Sequence, residues 1–301
     1  MLGLDPDPGA LWPAALSEAG AGAPAEDEPE ATDRFGVAER AAAAVERHCA
    51  LAIEAAGEAC VAVKLQLACF ERLGAPGWRA LEATGGVARE HGLLVIADGK
   101  RGDVPVSAHA YAQALVGSTP SPLGDVPGLG VDAFTANPLL GADALEPLVD
   151  GAAEIGAGCF VLVRTSNPGA QEIQDRPSPE RPLHERLAAL ADVLGRGSVG
   201  ACGLSSVGAV TGATRPGLLA RLRELMPRAV LLLPGVGAQG GAVEDLRPAF
   251  GPHPAAGLVT ASRSIVGAAG ERGGDPAAAA RAAADELRAR TWRLAVAGAS
   301  S

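Results

Sequence analysis

"AVLLLPGVGAQGG", residues 229–241, joins a short apolar run of strand length to a segment with four glycines. Backbone N–H groups left open by glycine at the start of a helix make a ready phosphate site, so the position of this segment in the chain discriminates between two α/β architectures. A doubly wound open sheet carries its G-x-G-x-x-G fingerprint after the first strand, and that fingerprint is missing here. The glycine-rich segment instead follows the seventh of eight apolar runs, and a phosphate site after strands 7 and 8 belongs to the (β/α)8 TIM barrel.

The other seven runs are "MLGLD" (1–5), "CVAVKLQ" (60–66), "LLVIAD" (93–98), "VDAFTAN" (131–137), "CFVLVRT" (159–165), "VGACGL" (199–204) and "GLVTAS" (257–262). Stretches with helical spacing lie between them, among them 35–57, 77–92, 182–195 and 216–227. Such alternation is the pattern of βα units around a parallel sheet. The 301 residues fit one α/β barrel domain spanning 1–301. Residues 17–33, "SEAGAGAPAEDEPEATD", are acidic and low in complexity and read as a loop insertion. Residues 117–130 form a Pro/Gly-rich connector. The first run is short for a barrel strand, so the amino end reads as clipped.

Composition narrows the function. The chain is 48% hydrophobic but only 3% aromatic, and its formal net charge is -10. That field repels phosphate backbones and no stacking platform is visible, which argues against nucleic acid as a partner. An anionic ligand must therefore be held locally. Five scattered cysteines, Cys49, Cys60, Cys69, Cys159 and Cys202, form no C-x-x-C pair and read as free thiols of a reducing cytoplasm. No signal peptide and no run of 18 apolar residues occurs, so no membrane association is expected. The histidines lack metal-site spacing, and no metal is expected.

Candidate chemistry clusters after the third run. In a strand, Asp98 and Lys100 of "ADGKRGD" point the same way, and Asp103 stands where a helix N-cap is expected. Taken alone, this D-x-K-x-x-D pattern suits an ion pair plus a helix cap as well as it suits catalysis. Lys64, inside the apolar "VAVKLQL", shifts the balance, because a lysine in such a strand must reach the barrel mouth or be buried against a partner. Two lysines alternating with two aspartates can hold one ammonium protonated as a general acid. Pro234, Gly235, Gly237 and Gln239 belong to the candidate phosphate loop, and Arg263 after the eighth run offers a bidentate fork to the same phosphate. "VRTSNPGA" (163–170) offers a hydroxyl and backbone amides suited to a base edge, and also reads as a plain turn.

Together "ADGKRGD", "TANPLLGADALEP", "FVLVRTSNPGAQEIQ", "SVGAVTGAT", "LLLPGVGAQGG" and "SRSI" resemble the orotidine 5'-phosphate decarboxylase family, in its longer bacterial form. The resemblance runs from Asp5 to about Ile265. It implies a (β/α)8 homodimer that makes UMP and carbon dioxide without metal or organic cofactor. It further implies that Lys100 stabilises and protonates the carbanion at C6 of the pyrimidine, that Asp98 lies beside the departing carboxylate, and that Lys64 links this aspartate to the ribose. Asp103 and Ser107 are implied to reach the partner subunit's site, Asp5 to bind a ribose hydroxyl, Ser166 to read the pyrimidine, and Gly237, Gln239 and Arg263 to hold the phosphate. Leu65, Cys69 and Pro105 depart from the family pattern, and Pro105 fixes the backbone just after Asp103.

Two alternatives share these features. A sugar-phosphate enzyme of the same superfamily uses D-x-K-x-x-D with magnesium to stabilise an enediolate. A non-catalytic nucleotide-binding barrel keeps only the phosphate grip, and has no need of two lysines and two aspartates.

Overall fold

The computed structural model describes residues 1–19, 34–177, 180–237, 239–251 and 253–298. Eight strands form one sheet: β1 (Leu2–Leu4), β2 (Ala62–Gln66), β3 (Leu94–Arg101), β4 (Ala133–Ala136), β5 (Gly158–Arg164), β6 (Ser205–Thr211), β7 (Ala229–Leu233) and β8 (Gly257–Val259). They are hydrogen-bonded in chain order, and the pairs β1–β2, β2–β3, β4–β5, β5–β6, β6–β7 and β7–β8 are parallel. Helices α1 (Arg34–Ala56), α2 (Ala75–Glu90), α3 (Pro105–Leu115), α4 (Ala142–Glu154), α5 (Leu183–Gly195) and α6 (Leu219–Leu225) follow the first six strands in turn. Helix α7 (Pro276–Gly298) follows the eighth. This is the α/β, (β/α)8 barrel class that the repeated runs imply.

The chain forms two compact units. The first comprises Met1–Asp98 and Ser262–Asp285, the second Gly99–Ala261 and Glu286–Ser301, so β3 and α7 each run through both. Parallel strands covered on both faces read as continuous apolar runs rather than alternating ones. In the first unit, Leu2, Leu4, Val63, Leu65, Val95 and Ile53 are buried accordingly. In the second, Phe134, Val161, Val163, Ala209, Leu231, Leu145 and Leu219 are.

Four local expectations are corrected. The sixth strand is not "VGACGL": residues 199–204 make a turn, in which Gly203, at φ 79°, donates its N–H to the Gly200 carbonyl. The strand is the following "SSVGAVT", whose small residues weaken its apolar signal in the sequence. The segment after β7 is a 3-10 helix, Val243–Phe250, with Pro248 inside it; proline lacks the N–H an α-helix needs there. The helical stretch at 216–227 is a 3-10 turn, Pro216–Leu218, followed by α6. Finally, Val104 and not Asp103 is the N-cap of α3, and no side chain caps it. The Pro-rich connector holds a small antiparallel ladder, Ser118–Thr119 with Val126–Pro127. Ser17 and Glu18 end the short helix Pro13–Glu18, while residues 20–33 of the expected insertion lie outside the described residues.

Candidate active site

Lys64 is both buried and paired. Parallel register sets it opposite Ile96 on β3, so Asp98 lies two residues further along on the same face. The Lys64 Nζ donates to Asp98 Oδ2 at 2.6 Å, and Asp5 Oδ1 lies 3.8 Å from the same nitrogen. Lys64 and Asp98 are each only 7% exposed, so their charges are desolvated and each depends on the other. Gln66 frames the pair: its Oε1 is 3.4 Å from Lys64 Nζ, and its Nε2 donates to the Asp98 carbonyl. Arg263, in the same unit, is exposed and opens the short helix Arg263–Val266.

In the second unit, Lys100, the penultimate residue of β3, has φ 50°, the one positive φ outside glycine among the described residues. Its N–H donates to Thr135 Oγ1 on β4 at 2.8 Å. One residue on, the Arg101 carbonyl accepts from Asn137 N–H at 2.7 Å. Gly102 lies so close to this segment that a Cβ there would come within 2.7 Å of the Asn137 carbonyl oxygen, which explains the glycine in "KRGD". Asp103 Oδ1 accepts from Val104 N–H at 2.7 Å. Pro105 takes the first-turn position of α3, where a missing N–H and a fixed φ are favourable. Ser107, on the same first turn, is half-buried.

The same unit brings Ser166 and the glycine-rich loop together. Gly235 has φ 97°, and a Cβ there would meet Gln239 Oε1 at 3.0 Å, Ser166 Cβ at 3.2 Å and Thr214 Cγ2 at 3.3 Å. Thr214 Oγ1 donates to the Ser166 carbonyl at 3.2 Å. The loop's own amides are largely engaged: Gly237 N–H donates to the Gly241 carbonyl, Gly240 to Gly237, and Gly241 to Gly235. The turn after Pro234 is thus self-bonded, and the expected cradle of open amides is not formed by these three glycines.

One network escaped the sequence reading. Buried Arg164, the last residue of β5, makes a two-point contact with Asp175, through Nε at 2.8 Å and Nη2 at 3.1 Å, and also donates to the Thr165 carbonyl. His184 Nδ1 lies 3.2 Å and Arg215 Nη2 3.7 Å from the same carboxylate. The Arg164 hydrogen bond, more than any other contact, holds the Asp175 carboxyl below its ordinary range. Gln174 Oε1 accepts from Thr165 N–H at 2.9 Å, and its Nε2 donates to Thr165 Oγ1 at 3.0 Å. These bonds close the loop that carries Ser166. In the first unit, Trp12 takes a similar bridging part, donating its backbone N–H to His48 Nδ1 and its Nε1–H to the Val266 carbonyl, both at 3.0 Å. Burial pushes His48 down to about 4, so it stays a neutral acceptor.

Among the described residues no three of His, Cys, Asp and Glu are grouped as metal ligands, and no helix is long and apolar enough to cross a membrane. All five cysteines are free thiols.

Eight strands of one sheet in chain order with helices between them, a buried lysine–aspartate pair on β2 and β3, and a glycine turn after β7 define an enzyme of the (β/α)8 class. The sequence pattern of the orotidine 5'-phosphate decarboxylase / HUMPS family matches residues 29–283. An orotidine 5'-phosphate decarboxylase of Deinococcus radiodurans is 45% identical over 235 residues, 78% of this chain and 82% of the relative. One from Rhodopirellula baltica is 42% identical over 225 residues, 75% of this chain and 74% of the relative. The solved structure of Leishmania donovani OMP decarboxylase superposes with a TM-score of 0.65 at 32% identity, covering 83% of this chain and 89% of that one. The chain belongs to the orotidine 5'-phosphate decarboxylase / HUMPS family.

Proposed function

We propose that the protein converts orotidine 5'-phosphate to UMP and carbon dioxide in pyrimidine biosynthesis, as a single barrel domain in the cytoplasm, using its own side chains and no metal or organic cofactor. The observation that carries this reading is the desolvated Lys64–Asp98 pair two residues before a lysine held in a left-handed backbone conformation.

The reaction breaks the C6–carboxylate bond and leaves its electron pair in an sp2 orbital of the ring carbon, where ring resonance does not reach it. A preorganised cation at that carbon is the largest help available. In this reading the Lys100 ammonium supplies it, then transfers a proton to C6 and becomes the neutral amine. Asp98 lies beside the departing carboxylate, and Lys64, which donates to that aspartate, also faces the ribose. Asp5, 3.8 Å from Lys64 Nζ, binds a ribose hydroxyl. Ser166 reads the pyrimidine edge. Gln239 and Arg263, beside the self-bonded turn of Pro234, Gly235 and Gly237, hold the phosphate through their side chains, and binding energy gained there serves the transition state at the ring.

A homodimer completes the proposal, with Asp103 and Ser107 contributed to the partner subunit's site. Val104 and Val106 flank these residues in the chain and are 56% and 85% exposed, while Leu139 and Leu140 after β4 are 64% and 55% exposed. Exposed apolar side chains next to Asp103 and Ser107 in the chain are in keeping with an interaction site there.

The test is the fall in ultraviolet absorbance of orotidine 5'-phosphate on adding purified protein with EDTA present. Conversion to UMP is the expected result, and Lys100→Ala is expected to lower turnover by at least about a thousandfold while UMP still binds. Activity on orotidine 5'-phosphate that vanishes with EDTA would overturn the cofactor-free reading, and magnesium-dependent turnover of a ketose phosphate with none of orotidine 5'-phosphate would support the sugar-phosphate branch of the family. Loss of UMP binding in Lys100→Ala, with turnover per bound complex unchanged, would remove Lys100 from its role.

A further inference from the structure

A left-handed backbone at a residue with a Cβ is strained and persists only where the surroundings over-determine it. At Lys100 those surroundings are the end of β4. The Lys100 N–H donates to Thr135 Oγ1, the Arg101 carbonyl accepts from Asn137 N–H, and Gly102 packs on the Asn137 backbone. Three successive residues of one strand end are therefore gauged against 135–137. Only one of the three contacts is made by a side chain. Thr135 is 1% exposed, and its β-branched Cβ restricts where the hydroxyl can sit.

We propose that Thr135 is a positioning residue for Lys100: its Oγ1 fixes the left-handed conformation at position 100 and with it the direction in which the lysine ammonium is aimed. The inference rests on the reading that Lys100 is the proton donor. A cation displaced from the point where charge develops loses its benefit in the transition state and not in the ground state, so the effect belongs in kcat. A threonine that merely stabilised β4 would lower the amount of folded protein and leave kcat of the folded fraction unchanged.

The experiment compares Thr135→Val, Thr135→Ser and Thr135→Ala in the full chain, with folded protein confirmed by thermal unfolding. Valine keeps shape but has no acceptor; serine restores the acceptor. In Thr135→Val, kcat for orotidine 5'-phosphate is expected to fall by at least about tenfold with KM changed by less than about threefold, and Thr135→Ser is expected to return most of the loss. Nuclear magnetic resonance adds a readout independent of turnover, since the Lys100 amide should exchange with solvent faster in Thr135→Val than in the wild type. If Thr135→Val does not fold, Thr135→Ala carries the same comparison. An unchanged kcat in the acceptor-free variant, a rise in KM that accounts for the whole defect, or serine as defective as valine would each overturn the proposal. Should the wild type not turn over orotidine 5'-phosphate at all, the functional reading fails instead. The amide exchange then decides the conformational part alone, and unchanged protection in Thr135→Val overturns it.

Discussion

Lys100 shows how much can be hidden in one residue. Its charge and its place behind an apolar run were legible in the sequence, but its backbone conformation was not, because φ 50° contradicts lysine's own preference and is imposed by β4. A cost accepted at the proposed reaction centre has a measurable signature. Lys100→Gly removes the steric penalty of a left-handed L-residue, about 1–2 kcal/mol, against which the extra chain entropy of glycine sets about 0.4–1 kcal/mol. The variant is expected to lose turnover and yet be as stable as the wild type or about 1 kcal/mol more stable, as read by urea denaturation. Marked destabilisation would show that the Lys100 side chain contributes more to the fold than its backbone strain removes. Asp103 was misread at the same scale: its type suits an N-cap, but Pro105 pushes the residue before it into extended backbone, so the cap position falls to Val104.

At the scale of elements, strands with bulky apolar residues were placed within a few positions, and β6 was missed because Gly208 and Ala209 carry little hydrophobic signal while "VGACGL" next to it carries more. The β5 loop shows a different limit. Ser166 belonged to a recognisable motif, but its support comes from Gln174, Asp175 and His184, and no periodicity announces that a carboxylate 11 residues away will return to Arg164. The pair gives a prediction. Asp175→Asn leaves the buried Arg164 guanidinium without its charge partner, a change that costs about 3–5 kcal/mol for fully buried pairs and less here because Asp175 keeps some solvent exposure. Loosening of the Ser166 loop should raise KM for orotidine 5'-phosphate more than it lowers kcat. The pH dependence has a definite sign. Asp175 has a folded pKa below its unfolded one, so its contribution is present above the unfolded value of about 3.9 and is lost as pH falls through the folded pKa. The stability gap between wild type and Asp175→Asn should therefore be full at pH 7 and narrow below pH about 4. A gap of constant size across that range would show that Asp175 acts through packing and not through its charge.

At the scale of the whole molecule, the order of the eight runs and the glycine turn after the seventh made the barrel class legible, because both are set by chain order rather than by distant contacts. Subunit assembly is a different matter, since a surface is defined by what covers it. The proposed dimer draws on the exposed apolar side chains at 104, 106, 139 and 140 and on the Asp103 carboxylate. In a two-fold dimer the same patch serves both subunits, so a residue acting across the interface can be tested by complementation. Lys100→Ala and Asp103→Ala homodimers are each expected to be nearly inactive. When the two are unfolded together and refolded, half of the dimers are mixed, and each mixed dimer contains one site with an intact lysine from one chain and an intact aspartate from the other. About a quarter of the wild-type activity should return if Asp103 acts in trans. If Asp103 acts within its own subunit, every site in the mixture carries one lesion and no activity returns. Val106→Glu supplies the control, because a charge at this exposed apolar position should shift sedimentation toward the monomer and abolish the regained activity while leaving each chain folded.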